Sequence, residues 1–220
     1  MQTYHVTIKG IQPLLMHADD IAWADQMDRW RGDKDNKKNS KAGDDRTPAF
    51  RWLGSLYRNE EGTIIIPTEN IMRALMEGGA MVPVPGQARK TFKSQSQSGI
   101  MPRSIGWPLF VNGKSINPKP VEALMKEKDF EKHQNAVEAL GFSLYLKRAR
   151  IGQSKHIRVR PRFENWSAAG DLVVTDEQIT QDVLAEILET AGKYKGIGDW
   201  RPSSKTPGTF GMFEAKVTAA

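Results

Sequence analysis

The sequence predicts a mixed α+β fold in one domain. Three observations carry this: an amino-terminal stretch alternating apolar and polar residues, a helix-periodic apolar stripe over residues 179–191, and a second alternating stretch near the carboxyl end. In the first, Tyr4, Val6 and Ile8 fall on one side and Thr3, His5, Thr7 and Lys9 on the other, the pattern of a half-buried strand. Gly10 to Met16 stays apolar. Residues 31–48 are dense in Asp, Lys, Asn, Gly and Ser and read as a polar loop. The β-branched run Gly62-Thr63-Ile64-Ile65-Ile66-Pro67 reads as a short strand, and Thr68 offers an N-cap for a helix over Glu69 to Ala80 with Ile71, Leu75 and Met76 as its buried stripe.

Residues 83–106, rich in Pro, Gly, Gln and Ser, read as a second loop; Trp107 to Val111 reads as a strand and Val121 to Leu140 as a charged helical stretch. Phe142 to Arg150 and His156 to Trp166 read as two strands joined through Ile151-Gly152-Gln153-Ser154. Thr175 and Gln178 form a capping-box pattern ahead of Ile179, Val183, Leu184, Ile187, Leu188 and Ala191, and Lys193, Lys195 and Gly196 close that helix. Phe213, Ala215 and Val217 mark the last strand. The order strand, helix, strand, hairpin, helix, strand is close to the βαββαβ split motif of ferredoxin-like domains. The expected organisation is a single domain over 1–220, with loop insertions at 17–62 and 83–106 and a protruding basic hairpin at 142–166.

Net charge is +6, and it is concentrated. Lys147, Arg148, Arg150, Lys155, Arg158, Arg160 and Arg162 lie in one segment with no Asp or Glu among them; without these seven the rest of the chain carries −1. A localised cationic stripe suits a phosphate backbone, because Lys and Arg release condensed counterions and Arg binds phosphate oxygens as a fork. Alternation places Arg158, Arg160 and Arg162 in one row, and Arg148 and Arg150 in a comparable row on the partner strand. His156 sits within the same hairpin. A second candidate is the segment from Gly196 to Gly211, where Gly196 and Gly198 permit close backbone approach to a phosphate and Trp200 and Arg201 offer a ring and a cation. The plain alternative for that segment is a helix cap and turn, with Trp200 in the core.

With no cysteine, disulfides, thiolate catalysis and cysteine-ligated metal are excluded. His5, His17, His133 and His156 show no zinc-ligand spacing, and no Walker loop, nucleophile elbow or dinucleotide fingerprint occurs, so neither a metal nor a cofactor is expected. The amino terminus lacks the apolar run of a secretory signal, and no stretch is long and apolar enough to span a membrane; a cytoplasmic protein with no membrane partner is the expectation.

Three motifs in order resemble the RAMP superfamily, whose members include the RNA-binding backbone subunits of CRISPR effector complexes: a strand leading to Gly10-Ile11-Gln12-Pro13-Leu14-Leu15-Met16-His17; Ile66-Pro67-Thr68-Glu69-Asn70-Ile71-Met72-Arg73-Ala74-Leu75; and Gly196-Ile197-Gly198 through Gly208-Thr209-Phe210-Gly211-Met212-Phe213. In the second, Thr68, Glu69 and Asn70 replace a glycine and serines usual there. The ending Gly-Ile-Gly-Asp-Trp-Arg-Pro also resembles small phage-encoded proteins, which implies a phage or prophage origin. The superfamily resemblance implies single-stranded RNA held against the open sheet face, a hairpin reaching between subunits, and side-by-side assembly along the strand. The expected function is therefore non-enzymatic binding of single-stranded RNA or DNA, RNA favoured, by a homo-oligomer or filament. Two alternatives differ in class. One is a ribonuclease using His156 or an acid after the first strand, among Asp19, Asp20, Asp25 and Asp28. The other is a phage interaction protein whose basic hairpin meets an acidic protein partner.

Overall fold

The computed structural model describes residues 1–18, 21–34, 49–116, 120, 123–124, 127, 129–151 and 154–220, without the side chains at 22, 31, 49–50, 148–151 and 154–156. Most of the polar loop expected over 31–48, Asp19, Asp20, the Gly152-Gln153 turn and part of the stretch 121–128 lie outside the described residues. In chain order the elements are β1 (Gln2–Gly10), β2 (Leu14–Leu15), α1 (Ile21–Gly32), a 3₁₀ segment (Ala49–Ser55), β3 (Ile65–Pro67), α2 (Thr68–Gly79), α3 (Lys93–Ser98), β4 (Ile100–Pro102), β5 (Gly106–Val111), β6 (Lys114–Ser115), α4 (Phe130–Ala139), β7 (Ser143–Ile151), β8 (Ser154–Phe163), β9 (Trp166–Val174), α5 (Gln181–Tyr194) and β10 (Phe213–Ala219). The fold is α+β with antiparallel sheets.

The chain forms two compact units, one of Met1–Leu15, Tyr57–Ile116 and Phe163–Ala220, the other of Met16–Leu56 and Asn117–Arg162. The single domain with insertions is thus divided: much of the segment after the first strand joins the hairpin strands in a unit of its own. That unit has its own apolar residues, because Trp52, Leu53, Leu56, Val137 and Phe142 are all buried. Trp52 Nε1 donates to His133 Nδ1 at 3.0 Å, and the other ring nitrogen of His133 lies 2.9 Å from the Glu127 carbonyl. Since Nδ1 accepts, the proton belongs on Nε2, and the buried ring is satisfied at both ends.

In the first unit the sheet runs β10-β1-β9-β5-β3, with β4 also on β9 and β6 on β5. Tyr4, Val6 and Ile8 of β1 oppose Leu172, Gly170 and Ala168 of β9, and Val6 opposes Val217 of β10, so one face is continuously apolar. Along that face α5 packs against β10 and α2. The approach is close: a Cβ at Gly192 would stand 2.0 Å from the Phe213 carbonyl oxygen, and one at Gly78 would stand 2.4 Å from that of Ile187.

Three local expectations change. The cap of α2 is Pro67, and Thr68 is its first helical residue, its hydroxyl donating to the Ile105 carbonyl at 3.1 Å. The cap of α5 is Thr180, which accepts from Val183 N at 3.3 Å, whereas the upstream turn is closed by Asp176, which accepts from Gln178 N. The segment 83–106 is largely structured: Val84, Phe92 and Ile100 are buried, and Ile100, Met101 and Pro102 pair with Val174, Val173 and Leu172. Its polar composition hid these anchors, because Phe92 and Ile100 are isolated among Ser, Gln and Lys.

Because the Phe213 carbonyl cannot yield as a flexible side chain would, Gly192→Ala should cost about 1–3 kcal/mol of stability. Gly32→Ala, where a Cβ meets nothing within 4 Å, should fall between no change and about 1 kcal/mol of added stability. Chemical denaturation of both variants checks the contrast, and equal effects would refute it.

Candidate nucleic-acid interface

Opposed residues of an antiparallel pair share a face. The register of β7 and β8 sets Ser143 against Arg162, Tyr145 against Arg160 and Lys147 against Arg158; in the alternate phase Leu144 opposes Pro161 and Leu146 opposes Val159. Leu144, Val159 and Pro161 are buried, while Leu146 and Ile157 are 46% and 39% exposed. The apolar face is therefore covered at the hairpin's base and open farther out.

The cationic row is not uniform. Arg160 is only 3% exposed and Nη1 donates to the Val159 carbonyl at 3.1 Å, Arg162 is half-buried, and Arg158 and Lys147 are partly open. Arg148 and Arg150 hold register positions opposite Ile157 and Lys155, out of phase with Arg158 and Arg160. The two rows expected from alternation thus belong to different phases of the pleat. The side chains of Arg148, Arg150, Lys155 and His156 lie outside the described residues. The register nevertheless pairs cation with cation twice, Lys147 with Arg158 and Arg150 with Lys155.

The second candidate segment is built differently from a phosphate cradle. Gly196, at φ 66°, donates to the Ala191 carbonyl at 2.8 Å and caps α5 in the left-handed conformation. Ile197 N donates to Gly211 O, Asp199 N to Leu15 O, Gly208 N to Arg201 O, Phe210 N to Trp200 O, and Gly211 N to Pro13 O. These donors are committed within the protein. The glycines serve close packing: a Cβ at Gly198 would stand 2.4 Å from the Leu15 carbonyl oxygen, and one at Gly208 2.0 Å from that of Trp200. Trp200 itself is half-buried, neither a core residue nor an open platform.

Arg201 is tied down as well. Its side chain, 20% exposed, donates from Nη2 to Glu77 Oε1 at 3.2 Å and from Nε to Ser203 Oγ at 2.8 Å. Ser203 Oγ donates to Glu77 Oε2 at 2.6 Å, and Arg73 Nε donates to Oε1. Burial by itself would raise the Glu77 carboxyl. The hydrogen bonds from Arg73 and Ser203, with the charges of Arg201 and Arg73, outweigh burial and hold it below its ordinary value. Gly196 thus caps α5, Gly198 packs against Leu15, and Arg201 fastens the last loop to α2. The i,i+4 spacing of Arg73 and Glu77 was readable as a helix pair, but its link to Arg201 was not.

The sheet face opposite the helices presents Thr3, His5, Thr7 and Lys9 on β1, Ser167, Ala169, Asp171 and Val173 on β9, and Glu214, Lys216 and Thr218 on β10. These positions carry no Phe, Tyr or Trp, and Lys9 opposes Glu214. His5 Nδ1 lies 2.8 Å from Asp171 Oδ1, a polar pair that sequence reading missed because 166 residues separate its members. The face therefore offers balanced charge on these three strands. Among the described residues no helix is long and apolar enough to cross a membrane. No model of a known protein family matches the chain, and no curated protein matches it significantly.

Glu77→Gln should cost about 1–2 kcal/mol at neutral pH, a charge-assisted network's worth discounted for the solvent reaching it. Because the folded carboxyl is held below its ordinary value near 4.5, its stabilisation is complete above that value and fades as pH falls through the lowered one. Melting of both proteins between pH 7 and pH 3 should show the gap closing with acid. A gap that stays constant would refute the charge network.

Proposed function

We propose that this chain binds single-stranded nucleic acid through its phosphates, RNA in preference to DNA, and catalyses no reaction on it. The observation that carries the reading is the hairpin register, which sets Lys147 against Arg158 and Arg150 against Lys155 in a segment free of acids. A ladder that sets cation against cation suits a sugar–phosphate backbone, which supplies anions at regular spacing. The preference for RNA rests on the RAMP resemblance, as does side-by-side assembly along the strand.

The first unit supports that resemblance in its connectivity. Taking β1, α2, β5, β9, α5 and β10 as the principal elements gives βαββαβ, and the neighbour order β10-β1-β9-β5 places the fourth strand beside the first and the third between first and second. This order is the one a split βαβ, ferredoxin-like domain would have, and it supports reading the first unit as such. The hairpin follows α4 in the other unit and carries the contact to phosphate.

Binding should be salt-sensitive. If Lys147 and Arg158 on one phase of the hairpin and Arg148, Arg150 and Lys155 on the other together engage about five phosphates of a single strand that wraps it, the log–log slope of affinity against salt should be about −3.5. The double variant Lys147→Ala/Arg158→Ala should bring it to about −2.1 and weaken all sequences alike. The oligonucleotide should be recovered uncut. A flat salt response, or a variant that binds like wild type, would overturn the reading.

A further inference from the structure

The second unit holds a cavity of roughly 490 Å³ that no part of the backbone grip uses. Such a volume falls within the roughly 300–1,000 Å³ of small-molecule sites. Its wall joins three kinds of chemistry: the indole of Trp23 from α1, the cations Arg51 and Arg160, and the polar groups of His17, Asp28 and Ser55. Trp23 is seated against Gly54, where a Cβ would come within 2.7 Å of its Cγ, so the ring's position is fixed by a residue with no side chain. Arg160 arrives from β8, two residues along the strand from Arg158, and is held almost out of bulk water. A guanidinium in that setting attracts an anion more strongly than one on the surface.

An aromatic ring, two cations, a carboxylate and a hydroxyl lining one pocket match a ligand that is both aromatic and anionic. We propose that this cavity binds a nucleoside monophosphate group, its base against Trp23 and its phosphate at Arg51 and Arg160. The inference rests on the nucleic-acid reading only for one of its two sources, since the nucleotide can be free or can be one unit of a strand gripped at Arg158. It explains why Arg160 leaves the cationic row: the residue serves the base-and-phosphate site and not the surface track.

The test uses the full chain and four probes: adenosine 5′-monophosphate, uridine 5′-monophosphate, inorganic phosphate and a uridine 12-mer, each titrated by calorimetry. For a free nucleotide, at least one monophosphate should bind tenfold or more tightly than inorganic phosphate, and Arg51→Gln and Trp23→Leu should each weaken it at least tenfold. For a strand-borne nucleotide, the same two variants should weaken the 12-mer at least tenfold, with Trp23→Leu leaving the salt slope unchanged. Lys147→Ala/Arg158→Ala should lower the 12-mer's affinity and leave monophosphate binding intact, which separates failure of the surface grip from failure of the cavity. If Trp23→Leu melts early, Arg51→Gln with the monophosphates decides. Wild-type 12-mer binding that neither variant alters, with no monophosphate binding, would overturn the cavity proposal alone.

Discussion

The sheet of the first unit depends on two indoles lying against two glycines. Trp107 of β5 covers Gly170 of β9, where a Cβ would stand 2.1 Å from its Nε1; Trp166 of β9 covers Gly10 of β1, where a Cβ would stand 2.1 Å from the same atom of that ring. Both rings are fully buried. Trp166 donates to the Gln12 carbonyl at 2.9 Å, which also fixes where the chain turns after β1. Trp107 Nε1 has no hydrogen-bond partner, a loss of about 1–3 kcal/mol that the burial of a whole indole offsets. Any side chain at Gly10 or Gly170 would displace a ring and separate the neighbouring strands.

That same constraint hid β9 from the sequence. Trp166-Ser167-Ala168-Ala169-Gly170-Asp171 lacks β-branched residues and contains a glycine and an aspartate, so propensity argues against a strand there. Gly170 has no side chain where the Trp107 ring of neighbouring β5 occupies the space above it, a fact that belongs to tertiary structure. By contrast β1, α5 and β10 were legible, since each buries one face and exposes the other and its period shows in the residues themselves. The α+β class followed from those three elements. The division into two units did not, because Trp52, His133 and Phe142 are far apart in sequence and no local pattern joins them.

The two candidate binding segments differ in how much of them was local. The cationic hairpin is a statement about neighbouring residues, and its strands form nearly where alternation placed them. The glycine segment misled because one residue type serves two needs. Glycine admits a phosphate to the backbone, and it also admits another backbone; here Leu15, Ile197 and Trp200 carbonyls occupy the space a ligand would need. Arg201 shows the same ambiguity for charge: a cation in a loop reads as available until its carboxylate is found on another element, and Glu77 lies 124 residues away.

Charge placement then divides the hairpin itself. Alternation alone makes Arg158, Arg160 and Arg162 equivalent, and only packing distinguishes them. Arg160 stands opposite Tyr145 and inside the second unit, whereas Arg158 stands opposite Lys147 where the neighbouring apolar positions Leu146 and Ile157 are already open. A strand that changes from buried to exposed along its length turns a repeating sequence into a graded surface, deepest at its base. The gradient runs from Arg160, 3% exposed, to the register pair of Lys147 with Arg158 farther out. It is the depth of burial along β8, set by where Val159 and Pro161 pack, that separates arginines which alternation alone makes equivalent.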